Sequence, residues 1–172
     1  MCDRWLASAC GYNLYGMGLR EFSIDTPIGV LYVASDGDVV KRISMYSVSP
    51  SPEPGELNCF ETSVCNEIKE YFDGRRRCLE FAVDFSQGTP FQQRVWNVLR
   101  EIPYGATLTY SQVARLAGSP AACRAIGSAC NRNPLLLAVP CHRVVGASGK
   151  LVGFACGLEV KDYLLRHEAG FL

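Results

Sequence analysis

The chain has 172 residues, 48% hydrophobic and 20% charged, enough for one sizeable core or two small lobes sharing an interface. No run of about 20 apolar residues occurs, which excludes a membrane-spanning helix. Seventeen basic residues balance seventeen acidic ones, so a uniformly basic, nucleic-acid-coating surface is excluded and any such contact requires local segregation of charge.

In chain order, Met1-Cys2-Asp3-Arg4-Trp5 lacks the basic start and long apolar run of a signal peptide. An intracellular protein is expected, cytoplasmic, or nuclear if the source is eukaryotic. Residues 1–19 are rich in Gly and Tyr without period and read as an irregular lead-in. From Arg20 to about Tyr46 the pattern is strand-like. Phe22 and Ile24 alternate, Thr26-Pro27-Ile28-Gly29 turns, Val30 to Ala34 is apolar, and Asp36-Gly37 turns again into Val39–Tyr46. Three prolines between Ser49 and Gly55 make a loop. Leu57, Phe60, Val64, Ile68 and Phe72 recur at helical spacing, and the helix stops at Asp73-Gly74. Cys78 to Phe85 resembles one more strand. Residues 1–86 are thus an acidic α+β lobe, an antiparallel sheet with a helix.

Ser86-Gln87-Gly88 reads as a linker, and residues 87–172 as a second, mainly helical lobe. Thr89-Pro90-Phe91-Gln92 opens a helix with Thr as N-cap, Pro at the first position and Gln completing a capping box. Phe91, Val95, Val98, Leu99 and Ile102 form its buried stripe, and Pro103-Tyr104-Gly105 ends it. A short helix from about Ser111 to Ala117, the Gly118-Ser119-Pro120 turn, and a helix from Pro120 to about Asn131 capped by Ser119 match a helix-turn-helix. The last of these carries small residues, among them Ala121, Ala122, Ala125, Gly127, Ser128 and Ala129, beside the long Arg124 and Arg132. Small side chains let a helix approach either a neighbouring helix or the floor of a nucleic-acid groove. Arg124, poorly suited to a tight core, favours the groove.

Charge is segregated along the chain. Residues 1–86 hold 13 acidic and 8 basic side chains, whereas residues 87–143 hold six arginines (94, 100, 115, 124, 132, 143) against Glu101 alone. Arginine binds phosphate in a bidentate fashion and stacks on bases, but a solvated basic face explains the same count equally well.

Nine cysteines without a C-x-x-C pair, and only two histidines, argue against structural zinc, although Cys2 with Cys10 or Cys59 with Cys65 is a weak ligand idea. Most of the cysteines read as small buried hydrophobes. Cys141 differs. It follows the apolar run Leu135–Val139, expected to be a buried strand or extended segment, and precedes His142. A free thiol near pKa 8.5 needs a base or a positive field to become thiolate. Neighbours on an extended segment point to opposite sides, so His142 is expected to reach the sulfur indirectly, through a water.

Pro140-Cys141-His142-Arg143-Val144-Val145 resembles the active-site signature of the O6-alkylguanine-DNA alkyltransferases. In the same order along roughly residues 20–170, similar stretches include Phe91-Gln92-Gln93-Arg94-Val95-Trp96, Ile102-Pro103-Tyr104-Gly105 and Tyr110-Ser111-Gln112-Val113-Ala114. They continue with Arg124-Ala125-Ile126-Gly127, Asn131-Arg132-Asn133-Pro134 and Leu164-Leu165-Arg166-His167-Glu168. The resemblance implies that Cys141, ionised at neutral pH, accepts the alkyl group from O6 of guanine in a stoichiometric, irreversible reaction. His142 would deprotonate it through a water, Glu168 would orient His142, and Asn133 would brace the turn between the helix-turn-helix and the active-site segment.

It further implies that double-stranded DNA is the partner, held from the minor groove by Ala122, Arg124, Ala125, Ser128 and Arg132 on and beside the second helix of the helix-turn-helix. The damaged base would be flipped at a cost of about a few kcal/mol, with Arg124 filling the gap. Tyr110 would donate to the departing guanine. Carbonyls near Cys141 and Val144 would accept from its amine. Gly149 to Gly157 would roof the pocket, with Phe154, Ala155 and Cys156 at its rim. There Cys156 is expected to disfavour bulky alkyl groups, and it is a second thiol near Cys141 that could pair with it under oxidation. Lys161 matches a lysine near the sulfur but, on a helix, reads as solvated. No cofactor or metal is implied, and a monomer is expected. A non-catalytic relative, a cysteine hydrolase and a helix-turn-helix regulator are the competing readings. Cys141 counts against the first, and the DNA-binding half has no purpose in the second.

Overall fold

A computed structural model describes residues 19–47 and 56–170. The lead-in through residue 18, with Cys2 and Cys10, and the proline loop Ser49–Gly55 lie outside the described residues. Strands β1 (Arg20–Thr26), β2 (Gly29–Asp36) and β3 (Val39–Ser44) form an antiparallel sheet in that order. Both hairpins turn on a glycine in the left-handed region, Gly29 at φ +111° and Gly37 at φ +56°. Register pairs Phe22 with Val33, Ile24 with Leu31 and Val33 with Ile43, which gathers the apolar residues on one buried face. Helix α1 (Cys59–Phe72) opens on a capping box in which Asn58 and Glu61 each accept the other's backbone N–H, at 2.8 and 2.9 Å. Val64, Ile68 and Tyr71 form its buried face.

Cys78–Phe85 is not a strand. It meets β3 at a single bridge, Val40 to Val83, and then turns away. The Asp84 carboxylate receives Lys41 Nζ at 2.6 Å and the Ser86 N–H at 2.7 Å, and these bonds close a turn instead of extending a ladder.

Helix α2 (Pro90–Arg100) carries the expected Thr89–Gln92 capping box. Its buried apolar residues are Val95, Trp96 and Leu99, while Phe91 and Val98 are only partly covered. Trp96 is the largest fully buried side chain, and its Nε1–H donates to the Ala129 carbonyl at 2.9 Å. Gly88 makes this possible, because a Cβ there would lie 2.2 Å from the indole ring. Strand β4 (Leu108–Thr109) leads into α3 (Tyr110–Leu116), capped by Thr109, and α4 (Cys123–Asn131) follows. Helix α4 begins three residues later than the sequence suggests and has no side-chain cap. The Ser119 carbonyl accepts from Ala122 N–H at 2.9 Å, so Pro120 and Ala121 belong to a turn.

Leu135–Val139 is buried as expected but is not a strand. Leu137 sits at φ +70° and Val139 N–H returns to the Leu135 carbonyl at 2.8 Å, coiling the run into turns. Its one bridge is to β3, where Ile43 N–H donates to Pro134 O and Leu136 N–H to Ile43 O. The segment ahead of Cys141 is therefore docked on the edge of the first lobe's sheet. Strand β5 (Val144–Val145) pairs in parallel with β4, and α5 (Leu158–Glu168) closes the fold. One continuous apolar core runs from Phe22 in β1 to Leu164 in α5.

Candidate active site

Cys141 begins a 3-10 turn, Cys141–Arg143, instead of ending an extended segment. Its side chain is buried, and Asn133 Nδ2 donates to Sγ at 3.2 Å. The same amide nitrogen donates to Val139 O at 2.7 Å, while Asn133 Oδ1 accepts from Leu135 N–H at 3.0 Å. Asn133 thus ties the Leu135–Val139 turn to the sulfur. Burial pushes the Cys141 thiol up, with the Asn133 hydrogen bond and the Lys161 ammonium pulling it partly back.

Glu168, at the C-terminal end of α5, is buried and gathers donors from four directions. Oε1 receives His142 Nε2 at 2.9 Å, Tyr71 Oη at 2.7 Å and Arg143 Nη2 at 2.8 Å. Oε2 receives Arg143 Nε at 2.9 Å and the Gly105 N–H at 3.0 Å. Burial alone would raise this carboxyl, but the His142 and Arg143 hydrogen bonds hold it well below the usual carboxylate range. An ionised carboxylate only accepts, so His142 carries its proton on Nε2 and leaves Nδ1 as a bare acceptor. That Nδ1 is buried and has no hydrogen-bond partner among the described residues. Burial, more than the opposing pull of Glu168, lowers the pKa of His142, so the imidazole is neutral at rest.

The β4–β5 pairing sets Tyr110, the first residue of α3, beside the cysteine turn. Its hydroxyl donates to Val152 O at 3.3 Å, and burial pushes its pKa up to about 12, with Cys130 and Cys141 adding to the shift. Tyr110 is accordingly a protonated donor. Lys161 is not solvated: it is 0% exposed, and Nζ donates to Val144 O at 2.5 Å and Val152 O at 3.0 Å. Burial pulls the Lys161 pKa below its ordinary value. The Val144 carbonyl therefore meets a further amine only with its second lone pair, and the Cys141 carbonyl already accepts from Val144 N–H. Val152, which sequence reasoning passed over, ties the 149–157 loop to both Tyr110 and Lys161. Along that loop Phe154 and Cys156 are half-buried and Ala155 is exposed.

On α4 the exposed face carries Arg124, Ala125 and Ser128, with Ala122 half-buried before the helix and Arg132 exposed after it. Ile126 and Ala129 face the core. Of the six arginines counted for positive charge, 94, 100, 115, 124 and 132 are exposed. Arg143 is not: it is buried against Glu168, with Nη1 on Ile102 O at 2.6 Å. Nor are most cysteines buried. Among the described residues Cys59, Cys78 and Cys123 are exposed and Cys130 and Cys156 half-covered. No group of three or more His, Cys, Asp or Glu among those residues is placed to hold a metal.

Four contributors to this site carried no readable role in the sequence. Arg143 lies inside the quoted signature, and only its adjacency to His142 hinted at burial. Tyr71 is 97 residues from Glu168, and nothing local marks it. Gly105 acts through its backbone, and Val152 through a carbonyl, groups that every residue possesses.

Residues 90–170 match the family model described as 6-O-methylguanine DNA methyltransferase, DNA binding domain. The methylated-DNA–protein-cysteine methyltransferase of Methanosarcina acetivorans is 40% identical over 148 residues, spanning 84% of this chain and 94% of that protein. Its counterpart from Mycobacterium leprae is 43% identical over 153 residues, spanning 85% and 90%. The crystal structure of Mycobacterium tuberculosis O6-methylguanine methyltransferase superposes with a TM-score of 0.79 at 37% identity, covering 90% of this chain and 94% of that one. Mycobacterium tuberculosis OGT in complex with DNA superposes with a TM-score of 0.77 at 39% identity, covering 87% and 92%. Fold and site together define a DNA-binding α+β protein built around a buried cysteine. The chain belongs to the methylated-DNA–protein-cysteine methyltransferase family.

Proposed function

We propose that this chain repairs duplex DNA by taking an alkyl group from O6 of guanine onto Sγ of Cys141, once per molecule. The observation that carries this reading is the arrangement around His142: a neutral imidazole, its Nε2–H on Glu168, with a buried Nδ1 that no group among the described residues meets. A water bridging Nδ1 and the thiol passes the proton to His142 as the sulfur attacks. The new S–C bond forms as the C–O6 bond breaks, and the electron pair leaves with guanine. Tyr110 donates to the departing base, while Asn133 steadies the sulfur through the hydrogen bond it already makes. Lys161 adds a positive field beside Cys141 and holds the pocket loop through Val152.

DNA lies along the exposed face of α4, contacted by Ala122, Arg124, Ala125, Ser128 and Arg132, with Arg124 filling the space of the flipped base. Phe154, Ala155, Cys156 and Val144 line the pocket. The two lobes, 1–86 and 87–172, divide the work, the second carrying the DNA face and the sulfur. No described helix is long and apolar enough to cross a membrane. The protein acts as a monomer where the genome lies, in the cytoplasm or in a nucleus.

Incubation with a methylated duplex oligonucleotide followed by intact-mass and peptide mapping tests this reading. One irreversible methyl on Cys141, absent in Cys141→Ser, is expected. Repeated turnover, or tight binding without a mass change, rejects it.

A further inference from the structure

Glu168 is served by a residue that belongs to neither the cysteine turn nor the helix-turn-helix. Tyr71, in the last turn of α1, is 2% exposed and donates to the same Oε1 that receives His142, at 2.7 Å. The contact is doubled, since the Tyr71 carbonyl accepts from His167 Nε2 at 2.8 Å, joining the ends of α1 and α5. The ring is held edge-on to Phe72 at 5.2 Å and to Tyr104 at 5.9 Å. A buried tyrosine so packed has no freedom to point its hydroxyl elsewhere.

We propose that Tyr71, supplied by the first lobe, is a positioning residue of the Cys141–His142–Glu168 relay, holding Glu168 Oε1 in place and sharing its charge so as to set how strongly the carboxylate pulls on His142. This inference rests on the relay reading above. Oε1 divides its negative charge among three donors, Tyr71, His142 and Arg143. Each hydrogen bond to an ionised acceptor is stronger than a neutral one, so removing one donor leaves more charge facing the others. Arg143 and Lys161 also face His142 electrostatically and oppose its protonation, while Tyr104 lies within the field of Glu168. With the hydroxyl gone, those groups are unchanged and the carboxylate alone becomes more basic. His142 then holds a proton more readily, and the rate of transfer, which needs a neutral imidazole, begins to rise at a higher pH.

Tyr71→Phe keeps the ring and removes only the donor. Because the chain has two histidines, His142 and His167, imidazole nitrogen NMR can follow each through a titration. The His142 midpoint in Tyr71→Phe is expected to rise by about half a pH unit or more, and the acid limb of the single-turnover transfer rate to rise with it. Phe72→Leu, in the same aromatic cluster, is expected to lower thermal stability without moving either. The inference is overturned if Tyr71→Phe leaves the His142 midpoint or the acid limb at the parent value, if only the overall rate falls, or if Phe72→Leu shifts the limb equally. Glu168→Gln separates the two levels. Should it transfer alkyl groups with the parent's rate and pH profile, the relay reading itself fails. Should it be slow while Tyr71→Phe matches the parent, only the role of Tyr71 is lost.

Discussion

Replacing Glu168 by Ala tests how the site is held together, apart from what it does. The carboxylate is the partner of Arg143 through Nε and Nη2, and it also receives His142, Tyr71 and Gly105. Without it, the buried guanidinium keeps one hydrogen bond, to Ile102 O, and a position 5.8 Å over the Tyr104 ring. Removing one member of a buried ion pair costs about 3–5 kcal/mol, mostly the cost of the stranded charge. For a chain of this size that lowers the melting temperature by about 6–20 °C. The assay is urea unfolding with matched m-values for the parent, Glu168→Ala, and Glu168→Ala with Arg143→Met. The double variant is expected to recover at least about 1 kcal/mol, because its buried charge is gone. A cost below about 1 kcal/mol for Glu168→Ala, or no recovery in the double variant, refutes the reasoning.

The same pair gives stability a direction in pH. The folded Glu168 carboxyl lies below its ordinary 4.5, so the unfolded chain takes up that proton first. Its stabilisation is complete above about pH 4.5 and is lost as pH falls through and below that value. His142 also has a folded pKa below its ordinary 6.5, so its contribution declines from about pH 6.5 downward. Parent stability is expected to fall in two acid steps, and Glu168→Ala to lack the lower one. Denaturant midpoints measured between pH 7 and pH 3 check this.

Four further outcomes concern single residues. Asn133→Ala removes a donor to Sγ and to Val139 O and strands the Leu135 N–H, so a loss of about 2–3 kcal/mol and a transfer rate at least about tenfold lower are expected. Unfolding and single-turnover kinetics measure the two. Arg124→Ala leaves α4 intact, since the side chain is exposed and makes no ion pair among the described residues, and weakens lesion transfer with unchanged melting temperature. In Arg132→Ala, the salt dependence of DNA affinity should fall by about one phosphate contact. Cys156→Gly opens the pocket rim and is expected to raise the rate on benzylguanine relative to methylguanine; equal ratios in parent and variant count against a steric role for Cys156.

What the sequence determined by itself is what neighbours within a few residues decide. The Thr89–Gln92 capping box, the glycine hairpins and the helical spacing from Val64 to Phe72 were legible, because each is a bond or a packing stripe closed inside one turn of chain. The Pro140–Val145 signature likewise marked Cys141, His142 and, through resemblance, Glu168. Where local signals competed with tertiary contacts, the contacts won. Leu135–Val139 coils because its edge docks on Ile43, and Cys78–Phe85 turns because Asp84 is held by Lys41. The fate of charge was the least legible of all. Arg143 counts toward a basic face and Lys161 reads as solvated in the sequence, yet both are buried, since an ionised Glu168 and two backbone carbonyls converge on them from distant segments. Burying a charge requires partners on several sides, and only the folded chain brings Tyr71, Gly105, His142 and Arg143 within hydrogen-bonding distance of Glu168.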